Sequence, residues 1–201
     1  MYMKEMFCFQ CQQTAHNTGC DGKAGVCGKK SDTANYQDEL TGTLIGLARA
    51  AKQGSPDADT DVLVLKGLFT TITNVNFNNQ TIIELKEQIE KEKLRINPSQ
   101  TENYDVKNIW NDNEDIRSLK SLILFGIKGM AAYAYHAYVL GKTDRTVTDY
   151  LYEALYALGE NKSADELLSL VLKTGEVNFR CMEMLDAANT ESYGNPVPTE
   201  V

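Results

Sequence analysis

Four of the five cysteines lie within the first thirty residues, and they constrain the fold more than any other feature of the chain. Cys8, Cys11, Cys20 and Cys27 follow the pattern Cys-x2-Cys-x8-Cys-x6-Cys. Two thiolates separated by two residues can bind one metal centre, and two later thiolates can close a four-thiolate cage around it. Soft thiolates select zinc or an iron–sulfur cluster, so the pattern predicts a metal site without choosing between them.

The residues between these cysteines are suited to a bulky ligand. Glycines recur at every third position, as Gly19, Gly22, Gly25 and Gly28. Glycine permits tight turns and a close approach of the backbone to a ligand. Such a loop can direct N–H groups towards the sulfurs of a cluster, and these contacts help to set its reduction potential. Positive charge beside the anionic thiolates is supplied by Lys23, Lys29 and Lys30.

Two other interpretations of the cysteines compete with the cluster. A disulfide knot is disfavoured, because residues 1–6 contain no apolar run of a signal peptide. Clustered cysteines without such a signal indicate a reducing cytoplasm and metal binding. A structural zinc loop with the same four ligands remains open on spacing alone.

The size and charge of the chain limit its class. With 201 residues it is long enough for one domain or two small ones. Its formal net charge of −8 argues against nucleic acid or an anionic membrane as the main partner. No stretch approaches the roughly 18 uninterrupted apolar residues of a membrane span.

Outside the loop, the hydrophobic spacing predicts helices, although the partly β-branched run that begins at Val62 would also suit a strand. The predicted helices cover residues 34–52, 61–75 and 81–94, and then 113–141, 144–158, 163–172 and 176–188. Gly54 and Gly175 are expected to end helices, and Ile82, Leu85, Ile89 and Leu94 to face inward. Between the two groups, residues 97–113 are polar and form a crossing, with Trp110 anchored against the core. Gly126 and Gly129 are expected to allow close helix packing.

These elements predict an all-α fold of two packed helical bundles with an N-terminal cysteine-rich loop. Residues 1–30 form the cluster-binding loop and residues 31–188 form the helical domain. Residues 189–201 have no helical pattern, and we interpret them as a tail that leads towards further domains.

Three other residues invite a metal or catalytic role, and each has a plainer interpretation. His16 is a loop residue near the cluster, because four cysteines already complete the ligand set. His136 is a hydrogen-bonded core or interface residue, and Cys181 is a buried structural thiol. The acidic residues show no pair arranged for acid–base catalysis.

The cysteine loop also resembles a known family. The stretches FCFQCQQT at 7–14, NTGC at 17–20 and GVCGK at 25–29 are similar to the N-terminus of the hybrid cluster proteins, also called prismane proteins or hydroxylamine reductases. The likeness continues through LFTTITNVNF at 68–77, NEDIRSL at 113–119 and GMAAYA at 129–134. It ends with ANT at 188–190 and YGNP at 193–196, and so covers nearly the whole chain.

The resemblance implies a function for one domain. In this family the N-terminal helical domain carries a conventional iron–sulfur cluster bound by the four cysteines. Later α/β domains carry the hybrid cluster at which hydroxylamine or nitric oxide is reduced. The residues that bind the hybrid cluster belong to those later domains and are lacking in this chain. The resemblance therefore implies an electron-entry domain that is not itself catalytic. Its implied partners are the downstream domains and a redox donor protein, and self-association is left open.

The resemblance also bears on the cluster type. Members with a short gap between the second and third cysteines hold [4Fe–4S], and members with a longer gap hold [2Fe–2S]. The gap of eight residues before Cys20 matches the short class, but the gap of six before Cys27 matches the long class. We therefore expect [4Fe–4S], with [2Fe–2S] as the alternative and a zinc-stabilised helical binding module as the competing function.

Overall fold

The computed structural model describes residues 5–11, 14–72 and 75–199, which form a helical protein with an N-terminal loop. Within these ranges there are seven α-helices. In chain order they are α1 (Ser31–Gln53), α2 (Ala58–Thr70), α3 (Asn79–Ile96), α4 (Lys107–Trp110), α5 (Glu114–Val139), α6 (Arg145–Leu158) and α7 (Ala164–Tyr193). The all-α prediction is confirmed. No helix in the described ranges is both long enough and apolar enough to cross a membrane.

The two predicted helical halves share one continuous core. Helices α1, α2 and α3 pack together, as do α5, α6 and α7. Contacts of α1 with α6 and of α2 with α5 join the halves. Each long helix contributes a fully buried apolar side chain, and examples are Leu44, Val64, Ile89, Ile127, Leu155 and Leu167. Each such burial is worth about 1.5–3 kcal/mol, so the core dominates the stability of the fold.

Most helices begin at polar residues that cap them. The side chains of Asp57, Asn113, Asp144 and Ser163 each accept a hydrogen bond from a backbone N–H group of the first turn. The starts at Asn113, Asp144 and Ser163 agree with the sequence, whereas α2 begins three residues before the predicted residue 61. Helix α1 differs, because Ser31 is already helical and its N–H donates to the carbonyl of Lys23 at 3.0 Å. The cysteine loop itself therefore helps to begin the first helix.

The predicted break at Gly175 is wrong. Helix α7 runs without interruption from Ala164 to Tyr193, so it also passes the expected end at residue 188. A glycine inside a helix costs only about 1 kcal/mol relative to alanine. The inner face of α7 buries Leu167, Val177 and Cys181, and this packing outweighs that cost. The proposed role of the tail as a link to further domains remains a prediction.

The inward-facing residue near the end of α3 is a lysine, Lys93. Lys93 is fully buried, whereas Leu94, which we expected to face inward, is 41% exposed. Lys93 follows Ile89 by four residues and so continues the buried face. Its Nζ pairs with Glu90 at 2.8 Å and donates to the carbonyl of Thr101 at 3.2 Å. Helix α2 ends at Thr70, earlier than expected, and residues 73 and 74 lie outside the described ranges.

The crossing between the halves is held close to α1 and to the cysteine loop. The N–H of Tyr104 donates to the carbonyl of Gly42 at 3.1 Å, and a Cβ at Gly42 would overlap the Tyr104 carbonyl. Trp110 packs against the core, as predicted. At Gly126 a Cβ would lie 2.6 Å from a methyl carbon of Thr174, so this glycine does allow close packing of α5 on α7. Gly129 has no such neighbour among the described residues.

Candidate metal centre

The cysteine loop is organised by two short antiparallel backbone pairings. Cys8 pairs with Cys20, and Ala24 pairs with Lys30. Inside the second pairing, the N–H of Gly25 donates to the carbonyl of Lys29 at 2.8 Å. The pairings fold the loop back on itself, so that cysteines distant in sequence come together.

All four predicted ligands line a single small cavity. Cys8, Cys11, Cys20 and Cys27 share its wall with Met6, Gly25, Val26 and Lys29. The thiol of Cys20 is buried, and the other three cysteines are half-buried. The cavity therefore lies near the surface of the protein, with its innermost thiol shielded. The role of these cysteines as ligands remains a prediction.

The space between the sulfurs is kept open by Gly25. A Cβ at this position would lie 3.5 Å from the sulfur of Cys27 and 3.7 Å from that of Cys20. A side chain here would thus fill the cavity that the thiols surround. Four thiols around such a space are the donor set that an iron–sulfur cluster or zinc requires, so the residues present fit the implied group.

The thiols share the cavity without meeting at one point. In the described part of the chain, no three His, Cys, Asp or Glu side chains are arranged so that they could hold a metal ion. That finding concerns a single ion, whereas an iron–sulfur cluster is bound by thiolates on several irons and does not need the sulfurs to meet at one point. The backbone pairings already bring the four cysteines to one cavity.

The local electrostatics distinguish the two cysteines that face each other. Hydrogen bonding from the backbone at Val26 and Ala15 lowers the pKa of the Cys20 thiol, and the hydroxyl of Thr14 assists. Burial raises the pKa of the Cys8 thiol, although the backbone at Gln10 and the charge of Lys29 oppose this effect. The thiolate is the form that binds metal. Cys20 is therefore the more readily ionised of this pair.

The remaining candidate residues lie away from the cavity wall. His16 is exposed, in a short 3-10 turn at Ala15–Asn17, and has a positive φ of 54°. Cys181 is fully buried in the helical core, as predicted, and its sulfur lies 3.5 Å from the carbonyl of Met130. His136 is exposed on α5 with its ring 5.4 Å from that of Phe69, so the core alternative for this residue is wrong and the interface alternative stays a prediction.

An aromatic cluster packs between the cysteine loop and the helical core, and it consists of Phe7, Phe9, Trp110 and Phe125. The sequence analysis did not predict this connection to the cysteines. Phe9 lies between the first two cysteines, with its ring 4.9 Å from that of Trp110 and 5.5 Å from that of Phe125. Phe7 contacts both Phe9 and Trp110. The aromatic residues beside the Cys-x2-Cys motif were the available signal. Their packing connects the Cys-x2-Cys segment to the helical core.

Comparison with known proteins finds a family model and curated relatives that match this chain. The family model described as "Prismane/CO dehydrogenase family" matches residues 6–201. Among curated proteins, the hydroxylamine reductase of Solidesulfovibrio magneticus is 43% identical over 98% of this chain and 42% of its own length. The hydroxylamine reductases of Halothermothrix orenii and Acetivibrio thermocellus are 40% and 41% identical over the same share of this chain.

These relatives are considerably longer than the chain described above. The matched region is 42% of the length of the Halothermothrix orenii protein and 41% of that of Acetivibrio thermocellus. The match therefore spans about two-fifths of each relative while it includes almost all of this chain. Since the family model also extends from before the first cysteine to residue 201, the chain belongs to the Prismane/CO dehydrogenase family.

Proposed function

We propose that this chain is the N-terminal electron-transfer domain of a hydroxylamine reductase of the hybrid cluster type. Cys8, Cys11, Cys20 and Cys27 would hold a [4Fe–4S] cluster. When bound, such a cluster stores and releases one electron at a potential that the protein sets. The domain would receive an electron from a redox donor protein and pass it to a hybrid cluster in further domains, where an oxidised nitrogen species is reduced.

One observation carries this proposal: the four cysteines line one cavity around the gap left by Gly25. Proteins of the Prismane family bind iron–sulfur clusters, which supports a metal cofactor in general. The relatives named hydroxylamine reductase match 98% of this chain. This match supports hydroxylamine reduction as the overall reaction in which the chain takes part.

The residues of the loop have distinct roles in this function. The backbone pairing of Cys8 with Cys20 and the aromatic packing of Phe9 hold the cage in place. Backbone hydrogen bonding at Cys20 favours its thiolate. Cys8, Cys11 and Cys27 are half-buried, and Val26 beside them is 62% exposed. A donor protein could therefore approach the rim of the site closely.

We assign the reduction of the oxidised nitrogen species to the part of the relatives that this chain does not match. The fifth cysteine, Cys181, is enclosed by the helical core, and burial raises the pKa of its thiol to about 12. The role that we propose for this chain is electron delivery.

Anaerobic reconstitution tests this function. We expect protein reconstituted with iron and sulfide to accept one electron per cluster from dithionite, giving a paramagnetic reduced state, and to return it to an electron acceptor. The Cys181→Ser variant should behave in the same way, whereas Cys20→Ser should not. Protein that binds zinc firmly and cannot be loaded with iron would instead support a zinc-stabilised binding module.

A further inference from the structure

One lysine of the cysteine loop differs from the others in its position. Lys29 is only 2% exposed and lines the cavity that the four cysteines share. Lys23 and Lys30 belong to the same loop but are exposed. The sequence suggested all three as sources of positive charge. The structure places only Lys29 at the cavity, and a charge within the protein is screened much less than one in water.

The ammonium group of Lys29 is held in place by neutral partners. Its Nζ donates to Oε1 of Gln37 at 2.7 Å and lies 5.9 Å from the centre of the Phe77 ring. Gln37 is itself buried, and its amide nitrogen donates to the carbonyl of Asn76 at 2.9 Å. Gln37 therefore orients the lysine without neutralising it.

The surroundings of this lysine carry a net positive charge. Lys128 of α5 is also buried, and its Nζ donates to the carbonyl of Thr71 at 3.3 Å. Asp38 is the carboxyl group that interacts with both lysines, and burial raises its pKa to about 6. Burial lowers the pKa of Lys128 to about 8, so Lys128 is mainly charged at neutral pH. A buried excess of positive charge is costly unless an anion opposes it.

We propose that Lys29, oriented by Gln37, is the positioning residue that balances the charge of the thiolate cage and raises the reduction potential of the cluster. This inference rests on the proposed function. Metal binding converts the four thiols to thiolates, which supply the anion that the buried ammonium groups lack. One electron from a reductant then makes the site one unit more negative, with no bond formed or broken. A fixed cation beside the site favours that reduced state.

Matched substitutions within the loop test the role of Lys29. Lys29→Met removes the buried charge and keeps most of the side-chain volume, and Lys30→Met removes an exposed charge one residue away. Reconstituted proteins would be titrated with dithionite under potential control, with the reduced cluster followed by electron paramagnetic resonance. For Lys29→Met we expect at least a tenfold lower ratio of reduced to oxidised cluster at a given potential. This corresponds to a reduction potential lower by about 59 mV for a one-electron couple.

The controls separate charge from structure. Lys30→Met should shift the same ratio less than threefold, Gln37→Leu should lower it by an intermediate factor, and Lys29→Arg should restore it. Equal potentials for wild type and Lys29→Met, with equal iron content, would overturn the role of Lys29 and leave the proposed function intact. If Lys29→Met cannot hold iron, failure of Lys29→Arg to restore loading would overturn it. A wild type that cannot be loaded overturns both proposals.

Discussion

Cys8 and Cys20 exchange both of their backbone hydrogen bonds. The N–H of Cys8 donates to the carbonyl of Cys20 at 2.9 Å, and the N–H of Cys20 donates to the carbonyl of Cys8 at 2.8 Å. The hydroxyl of Thr14 also donates to the carbonyl of Cys8 at 3.1 Å. The first and third cysteines of the motif are therefore fixed beside each other by the backbone. Metal binding has less conformational entropy to remove from such a loop than from an unfolded one.

Filling the gap at Gly25 should impair the site without unfolding the protein. We expect Gly25→Val to reduce iron loading at least tenfold, because its side chain would occupy the space beside the sulfurs of Cys20 and Cys27. Gly22→Val is the matched control, because a Cβ at Gly22 has no neighbour within 4 Å in the described structure. Iron content and urea unfolding of the metal-free proteins measure the two effects. Equal iron loading in both variants would contradict the assigned role of Gly25.

The aromatic support predicts that Trp110 links stability to cluster retention. Trp110→Ala should lower the free energy of unfolding by about 3 kcal/mol and speed the loss of cluster absorbance in air. Trp110→Phe should stay within about 1 kcal/mol of wild type, because it keeps the ring contact with Phe9 and removes an indole N–H without a hydrogen-bond partner among the described residues. Urea unfolding and absorbance decay measure these effects. Unchanged cluster retention in Trp110→Ala would argue against this support.

Much of the helical domain could be predicted because local signals agree with packing there. Asn113, Asp144 and Ser163 mark helix starts by hydrogen bonds that depend only on neighbouring residues. The predicted break at Gly175 was wrong because the low helix propensity of glycine is a weak local effect. The burial of apolar side chains along a long packed helix outweighs it. The burial of Lys93 could not be foreseen, because Glu90 of the same helix is only one of its partners and the carbonyl of Thr101 lies beyond the end of α3.

The reactivity of the cysteines should follow their burial. In metal-free native protein at pH 8, Cys181 should resist iodoacetamide, because burial raises its pKa to about 12 and leaves little thiolate. Cys11 and Cys27 are half-buried and should be modified much faster. Mass spectrometry of digested protein gives the extent of labelling at each cysteine, with urea-unfolded protein as the fully reactive control. Labelling of Cys181 as fast as Cys11 would show that the core opens readily.

The outer face of α7 carries apolar side chains that the fold leaves uncovered. Leu172 and Phe179 are 65% and 64% exposed, on the side of the helix away from the buried Leu167. Large exposed apolar patches on soluble proteins mark association surfaces. We therefore expect the chain to self-associate in sedimentation experiments as its concentration rises, and the double variant Leu172→Gln, Phe179→Gln to do so less.

The same double variant provides a stability control for the packing of α7. Its free energy of unfolding should change by less than about 0.5 kcal/mol, whereas Leu167→Ala should cost about 3 kcal/mol. A large loss of stability in the glutamine variant would mean that these side chains pack inside the protein in solution. Equal self-association of the variant and wild type would exclude the outer face of α7 as the contact.

The candidate site was only partly visible in the sequence. The spacing of the cysteines predicts a shared site because a loop can close locally. Spacing cannot show that Lys29 is buried while Lys23 and Lys30 are exposed, since this depends on the contact with Gln37 of α1. The position of Phe9 against Trp110 likewise joins residues about a hundred positions apart.

The iron and acid-labile sulfide content of anaerobically prepared protein, with its visible absorption spectrum, tests the central claim most directly. We predict about four irons and four sulfides per chain with broad brown absorption, and loss of both in Cys20→Ser. About two of each would change the cluster type and keep the electron-transfer role. A colourless protein with one firmly bound zinc, or no metal after reconstitution, would contradict the proposal that this loop carries an electron-transfer cluster.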